Sequence, residues 1–354
     1  MAEEEYRRAR MDKILVVFTG GTIGSCAENG IIAADKSAGF RLLEAYRAQT
    51  DCPADFDAIA PLNILSENLL PAHWEALSDA LATARLADYD GVIVAHGTDT
   101  LPYTAAMLSF LARGIALPVV LVSASRPLGA AGSNALANFT AAVRFISNER
   151  LPGVFAVFRN STGETLVHLA ARLTEADPRT DDFLPPFGVA FGERRGNAFV
   201  RFDSPQNPTP QQLCDAARTT AVAPVRFPRA AALVAPYPGL DYGTLRFSPD
   251  KTCAVLHGLY HSSTACVEPE PHSLLTFAAG CASAGIPLWL HDCRHFADES
   301  VYRTAAALRA AGVFTLAGIT RPCALAKLTA AYSQTVLPPE TFMRQNLAFE
   351  FVEI

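Results

Sequence analysis

The chain is punctuated by short, unbroken apolar runs rich in β-branched residues, and between many of them lie Ala/Leu-rich stretches with helical spacing. The runs fall at 14–18, 92–95, 119–122, 154–158, 231–235, 254–256, 286–290 and 314–317, and the helical stretches include 74–86, 104–112, 134–147 and 301–311. A strand that is apolar at every position must be covered on both faces, which is the condition of a parallel sheet sandwiched between helices. Alternation of such strands with amphipathic helices predicts an α/β protein with a mostly parallel sheet.

With 354 residues the chain suits two domains. Around 202–212, FDSPQNPTPQQ, the pattern lapses into proline and polar residues, and the next strand begins near Ala231. The expected organisation is an N-terminal extension at 1–10, a larger N-terminal α/β domain at 11–205, a linker at 206–228 and a smaller C-terminal α/β domain at 229–354. No internal repeat or low-complexity segment interrupts it.

Half of the residues are hydrophobic and 18% are charged, enough apolar material for two buried cores. The net charge is −6 and no basic stripe is present, which argues against nucleic acid as a partner. The 8 cysteines lack paired spacing and read as reduced thiols, pointing to the cytoplasm. The opening MAEEEYRRAR is charged and has no apolar core of a signal peptide. No apolar stretch approaches the ~20 residues needed to span a bilayer, so no membrane association is expected.

Two loops that leave apolar strands carry unusual chemistry. Thr19-Gly20-Gly21-Thr22 follows the first run, and His96-Gly97-Thr98-Asp99-Thr100 follows GVIV. Neither fits the GxxxxGK[ST] phosphate loop or GxGxxG. Each alone reads equally as a tight strand-to-helix turn with a capping hydroxyl. Together they place threonine hydroxyls and a carboxylate at two strand ends, where ligands of open α/β sheets gather. A threonine hydroxyl is a weak nucleophile and requires a neighbouring base. Asp99 can accept a hydrogen bond or hold an ammonium group.

At these residues the sequence resembles the bacterial L-asparaginases, the cytoplasmic type I branch most of all. The TGGTI loop at Thr19–Ile23 and the HGTDT loop at His96–Thr100 are joined by similar flanking segments: LSENLLPAHW (65–74), TLPYTAAMLSFL (100–111), PVVLVSASRPLG (118–129), NALANF (134–139) and the stretch 306–334. The resemblance covers essentially the whole chain from Met11. It implies hydrolysis of L-asparagine to L-aspartate and ammonia through an acyl-enzyme on Thr22. Thr98 and Asp99 would handle protons, and Asp99 would also hold the substrate's α-amino group. Ser66, with Glu67 beside it, would bind the α-carboxylate. Gly97 would line the substrate, and the carbonyl of Ala124 would orient its amide. A C-terminal loop, through His261 and Thr264, would reach a neighbouring protomer's site in a homodimer or homotetramer. No cofactor and no metal are implied.

Two departures qualify this. The family's tyrosine after the nucleophile aligns with Ile31, which cannot shuttle protons. The family's catalytic lysine has no counterpart, because the chain's lysines are Lys13, Lys36, Lys251 and Lys327; Arg172 stands in the corresponding segment. Arginine keeps the charge but cannot act as a base. Arg172 is therefore read as a member of the site that holds Thr98 and Asp99, against the alternative of a structural ion pair. Glu28 or Asp35 could supply the missing group, with Lys36 a weaker candidate. Otherwise the chain hydrolyses another amino-acid amide, or binds an amino acid without hydrolysing it. His291, Cys293 and His295 alternate in HDCRH, but without a fourth ligand they are read as a polar loop rather than a zinc site. Trp74 and Trp289 are read as packing residues.

Overall fold

The structure is a computed structural model that describes residues 11–21, 23, 25–28, 31–34 and 38–353, those between 25 and 38 through their backbone alone. It divides into two compact units, one running to Val225 and including Leu347–Phe349, the other comprising Arg226–Asn346 and the chain from Glu350.

The first unit begins with β1 (Asp12–Phe18), a short antiparallel pair β2 (Ser25–Glu28) and β3 (Ile31–Ala34), helix α1 (Ala38–Gln49) and β4 (Ala54–Ile59). It continues through α2 (Pro71–Thr83), β5 (Gly91–Ala95), α3 (Leu101–Leu111), β6 (Pro118–Val122), α4 (Ala135–Glu149), β7 (Gly153–Arg159), β8 (Thr165–Leu169), β9 (Gly192–Arg195), β10 (Ala198–Arg201) and α5 (Pro210–Ala216). Its strands form one sheet in the order β10-β9-β8-β7-β6-β5-β1-β4. The five strands from β7 to β4 are parallel, and β8, β9 and β10 extend the sheet antiparallel. The mixed α/β architecture, with a large mostly parallel sheet, is the one read from the strand pattern.

Alternate residues of the same strands enter opposite cores. Ile14, Val16, Ile93, Val120, Val122 and Phe155 face α1 and α4, where Tyr46 and Phe139 pack edge to face. Leu15, Val17, Val92, Val94, Val119 and Leu121 face α2 and α3 through Leu77, Leu81, Leu101 and Leu108. Each such side chain contributes about 1.5–3 kcal/mol when buried, so the register of the parallel strands is strongly specified.

The chain leaves β1 for β4 on one side, then returns to place β5 on the other side of β1. That reversal opens a crevice at the carboxyl ends of β1 and β5, the topological switch point at which α/β sheets bind ligands. Both threonine loops begin there. In the stretch 206–228, expected as a linker, α5 forms and Thr219 bridges Ile115 within the first unit.

The second unit has a smaller parallel sheet, β11 (Ala230–Val234), β12 (Thr252–Gly258), β13 (Leu288–His291) and β14 (Phe314–Thr315), in that spatial order. Its helices are α6 (Leu274–Ser283), α7 (Arg303–Ala310), α8 (Arg321–Ala331) and α9 (Pro339–Arg344). Lys327 of α8 is fully buried; its ammonium ion-pairs with the equally buried Glu350 and donates to the carbonyls of Met343 at 3.1 Å and Gln345 at 2.5 Å. The ring of Phe351 lies 4.4 Å from the same nitrogen. Among the described residues no helix is long and apolar enough to cross a membrane.

Candidate active site

Three loops converge over the end of β1. The Gly21 N–H donates to Ile64 O at 2.8 Å, and the Ile64 N–H donates to Thr19 O at 3.1 Å, joining the loop after β1 to the loop after β4. Thr19 is occupied structurally: its N–H and its hydroxyl both donate to Ala95 O, at 3.1 and 2.9 Å. On the other side Gly21, at φ +73°, meets the HGTDT loop so closely that a Cβ there would stand 2.3 Å from Gly97 N. A Cβ on Gly97 would in turn stand 2.5 Å from the hydroxyl of Ser66. Backbone therefore packs on backbone, and only glycine permits the approach.

Across this contact the Ser66 hydroxyl donates to Asp99 Oδ2 at 3.3 Å, and the Thr100 hydroxyl donates to Ser66 O at 2.8 Å. Ser66 is buried, whereas Asp99 and Glu67 are exposed and Thr98 is half-buried. The result is a hydroxyl and a carboxylate held together beside the carboxyl end of β5, open to a ligand on one side. Among the described residues nothing accepts a hydrogen bond from the Thr98 N–H. Ala124, fully buried, follows β6 one strand further along the same edge.

Beneath the loop, His96 is buried and desolvation pushes its pKa down to about 4, so it is neutral at physiological pH. Its Nδ1 lies 2.8 Å from Gly97 O and its Nε2 lies 2.9 Å from the hydroxyl of Thr104 in α3. The indole N–H of Trp74 in α2 donates to that same hydroxyl at 3.1 Å. Trp74 is thus more than the packing residue its sequence context suggested. The sequence held one signal of this arrangement: a polar threonine at a fully apolar helix position, four residues after Thr100.

Thr22, Asp35 and Lys36 are outside the described residues, as are the side chains of Glu28 and Ile31. Arg172 is a correction. It follows β8, which runs antiparallel and ends with Leu169 beside Phe155, towards the amino end of β7. Its Nε donates to Phe349 O at 2.5 Å and its Nη1 to Asn207 Oδ1 at 3.4 Å. Phe349, with Leu347 and Ala348, lies against Ala112–Ile115 and Pro152–Phe155, where the chain enters β6 and β7. Arg172 therefore serves the edge of the sheet opposite Thr98 and Asp99. Matching a charge by position in the sequence could not foresee this, because the strand direction decides which edge the residue reaches.

Past Arg172 the chain turns back towards the carboxyl edge. Glu175 accepts a 3.0 Å hydrogen bond from the hydroxyl of Tyr103, in the first turn of α3, immediately after the HGTDT loop. A cavity of about 410 Å³ opens next to Ala124, walled in part by Ser125, Arg126, Asn134, Arg159, Asn160 and Asp182. Sequence reading anticipated neither feature.

His261 and Thr264 belong to the second unit, in a tight turn after β12 closed by Tyr260 N donating to Thr264 O at 2.8 Å. His261 is exposed and Thr264 half-buried. Within HDCRH, His291 Nε2 donates to the carbonyl of Ile319 at 2.8 Å, Cys293 donates to Leu290 O at 3.3 Å, and burial pushes the Cys293 thiol up to about 12. His295 Nδ1 meets Asp298 Oδ2 at 2.9 Å. His291 is thus tied to the loop after β14, whereas Cys293 and His295 find partners three residues away.

A crevice at a sheet switch point, floored by Thr19–Gly21 and HGTDT and spanned by a serine–aspartate bond, is the arrangement of an asparaginase-type site. Residues 13–185 match the asparaginase N-terminal domain model, and the chain belongs to the asparaginase family as a divergent member. The chain has the fold of the L-asparaginase of Thermococcus kodakarensis, with a TM-score of 0.77 at 23% identity over 97% of this chain and 100% of that one. It has the fold equally of L-asparaginase I from Vibrio cholerae, with a TM-score of 0.75 at 23% identity and the same coverage. Among curated proteins it is similar to the D subunit of glutamyl-tRNA(Gln) amidotransferase. The protein of that name from Methanococcus maripaludis strain C5 is 34% identical over 165 residues, 46% of this chain but 38% of that protein. The one from Methanopyrus kandleri is 29% identical over 359 residues, 96% of this chain and 75% of that protein. The alignment thus spans about two fifths of the length of the first of these relatives.

Proposed function

We propose that this chain is an amidohydrolase that attacks the side-chain amide of an amino-acid unit with the Thr22 hydroxyl, releasing ammonia, and that its substrate is an amide other than free L-asparagine. The observation that carries the reading is the Ser66–Asp99 bond over the Gly21–Gly97 contact. It presents a carboxylate for an α-ammonium group beside a hydroxyl for an α-carboxylate, next to the loop that bears Thr22. The Thr98 N–H, which no described residue accepts, is suited to stabilise the oxyanion of a tetrahedral intermediate. Water then resolves the acyl-enzyme.

Two facts favour another amide over asparagine, the substrate the family resemblance first implied. The curated relatives are named as part of a glutamyl-tRNA(Gln) amidotransferase. The cavity beside Ala124 leaves room for a molecule larger than asparagine. Because those relatives are named as one component of an assembly, they also support a protein partner for this chain, in addition to or in place of self-association. Tyr103, which follows the HGTDT loop, and Glu175, which accepts its hydroxyl proton, are better placed to relay a proton than Arg172.

The test is ammonia release from asparagine, glutamine and larger compounds carrying either amide, with and without EDTA. The reading expects turnover on at least one amide other than asparagine, lost by about 10³-fold or more in Thr22→Ala. Absence of turnover on every amide, with aspartate still raising the melting temperature, would establish instead a binding protein without catalysis.

A further inference from the structure

We propose that Trp74 and Thr104 are positioning residues of this site, acting through His96 to fix the peptide between Gly97 and Thr98. The inference rests on the amide-hydrolysis reading above and names the groups that keep its loop in register.

The direction of every hydrogen in the chain of contacts follows from its first member. An indole N–H can only donate, so at 3.1 Å the Thr104 oxygen accepts from Trp74. The Thr104 hydroxyl then has its own proton to place, and the acceptor in reach is His96 Nε2 at 2.9 Å. Nε2 is therefore unprotonated, and the imidazole proton resides on Nδ1. From there it is donated to Gly97 O at 2.8 Å, a carbonyl that can only accept. The three side chains are 8%, 1% and 2% exposed, so water does not compete for these bonds.

The consequence reaches the reacting groups through peptide geometry. In a planar trans peptide the C=O and the following N–H point in opposite directions. Anchoring Gly97 O on buried His96 aims the Thr98 N–H away from the core, where no described residue takes it. The side chains of Thr98 and Asp99 follow directly. Trp74 comes from α2 and Thr104 from α3, so two helices of one layer converge on a single peptide plane. Neither side chain touches the substrate, and each acts by holding His96 in one tautomer and one orientation.

Two readouts test this. Nitrogen-15 NMR of His96 in the wild-type protein should show the Nδ1–H tautomer at neutral pH; an Nε2–H tautomer would overturn the relay. In steady-state kinetics on whichever amide is turned over, Thr104→Val should lower kcat about 10-fold with KM nearly unchanged, because misplacement acts on the transition state. Thr104→Ser, which keeps the hydroxyl, should restore kcat to within about twofold, and Trp74→Phe should fall between the two. Equal kcat for the valine and serine variants would sink the proposal, whereas a valine variant that does not fold leaves the Trp74→Phe kinetics and the NMR tautomer to decide it. A protein that turns over no amide defeats the functional reading alone, since the tautomer is still measurable.

Discussion

The hydroxyl of Ser66 stands 3.3 Å from Oδ2 of Asp99, so a loop leaving β4 is tied to a loop leaving β5 directly over the end of the strand between them. Beneath this bond Gly21 and Gly97 are in backbone contact, and above it Thr100 returns a hydrogen bond to the Ser66 carbonyl. The site is thus a lamination of three backbones whose side-chain chemistry is concentrated in a serine, an aspartate and the threonines beside them.

Asp99→Asn keeps the size of the side chain and an oxygen to accept from Ser66, but removes the charge. We expect kcat/KM to fall by about 10²–10⁴ with the melting temperature nearly unchanged. Gly97→Ala should instead damage both, at about 1–3 kcal/mol of stability, because its Cβ would collide with Ser66. Turnover measured alongside thermal unfolding separates the two effects.

Arg172→Gln should behave as a structural variant. Losing the donors to Phe349 O and Asn207 should cost about 1–3 kcal/mol in a denaturant titration. The activity of the folded enzyme should stay within about twofold. A large loss of kcat at unchanged stability would return Arg172 to the catalytic group.

Stability should fall in acid for a nameable reason. His96, His168 and His257 are buried, and desolvation pushes each pKa from 6.5 down to about 4. The folded state therefore binds these protons less readily than the unfolded chain. Their contribution is fully present above about pH 6.5, is lost as the pH falls towards 4, and declines no further below it. Each site adds a slope of up to about 1.4 kcal/mol per pH unit within that window. His168, whose Nε2 has no hydrogen-bond partner among the described residues, is the cleanest test. His168→Leu should flatten the profile between pH 6.5 and 4, and an unchanged slope would exclude His168 as a contributor.

In the second unit, Lys327→Met should cost about 3–5 kcal/mol, since it takes the buried ammonium away from the equally buried Glu350 carboxylate. Lys327→Met combined with Glu350→Leu should recover most of that loss, because the buried carboxylate is removed together with its ammonium. Equilibrium unfolding of both variants checks the order.

Much of this was legible in the sequence because it depends on local order. Unbroken β-branched runs such as Ile14–Phe18 read as strands buried on both faces, and TGGTI and HGTDT announce themselves as contiguous loops. The serine loop at 65–74 was likewise recognisable. The pairing of Ser66 with Asp99 was not, since 33 residues separate them and only the strand order brings their loops together.

Arg172 and His96 mark the boundary most clearly. The sequence determined that a charge follows the strand at 165–169 and that a histidine precedes Gly97. Tertiary structure decided that β8 runs against its neighbours and carries Arg172 to the far edge, while the next few residues bring Glu175 back towards the site. It decided also that His96 meets Thr104 and Trp74, which makes a neutral imidazole the anchor of the loop. Residue order fixes which groups are available and what each can donate or accept. Strand direction and burial fix which of them meet, and in which protonation state, because hydrogen bonds and desolvation act across space and not along the chain.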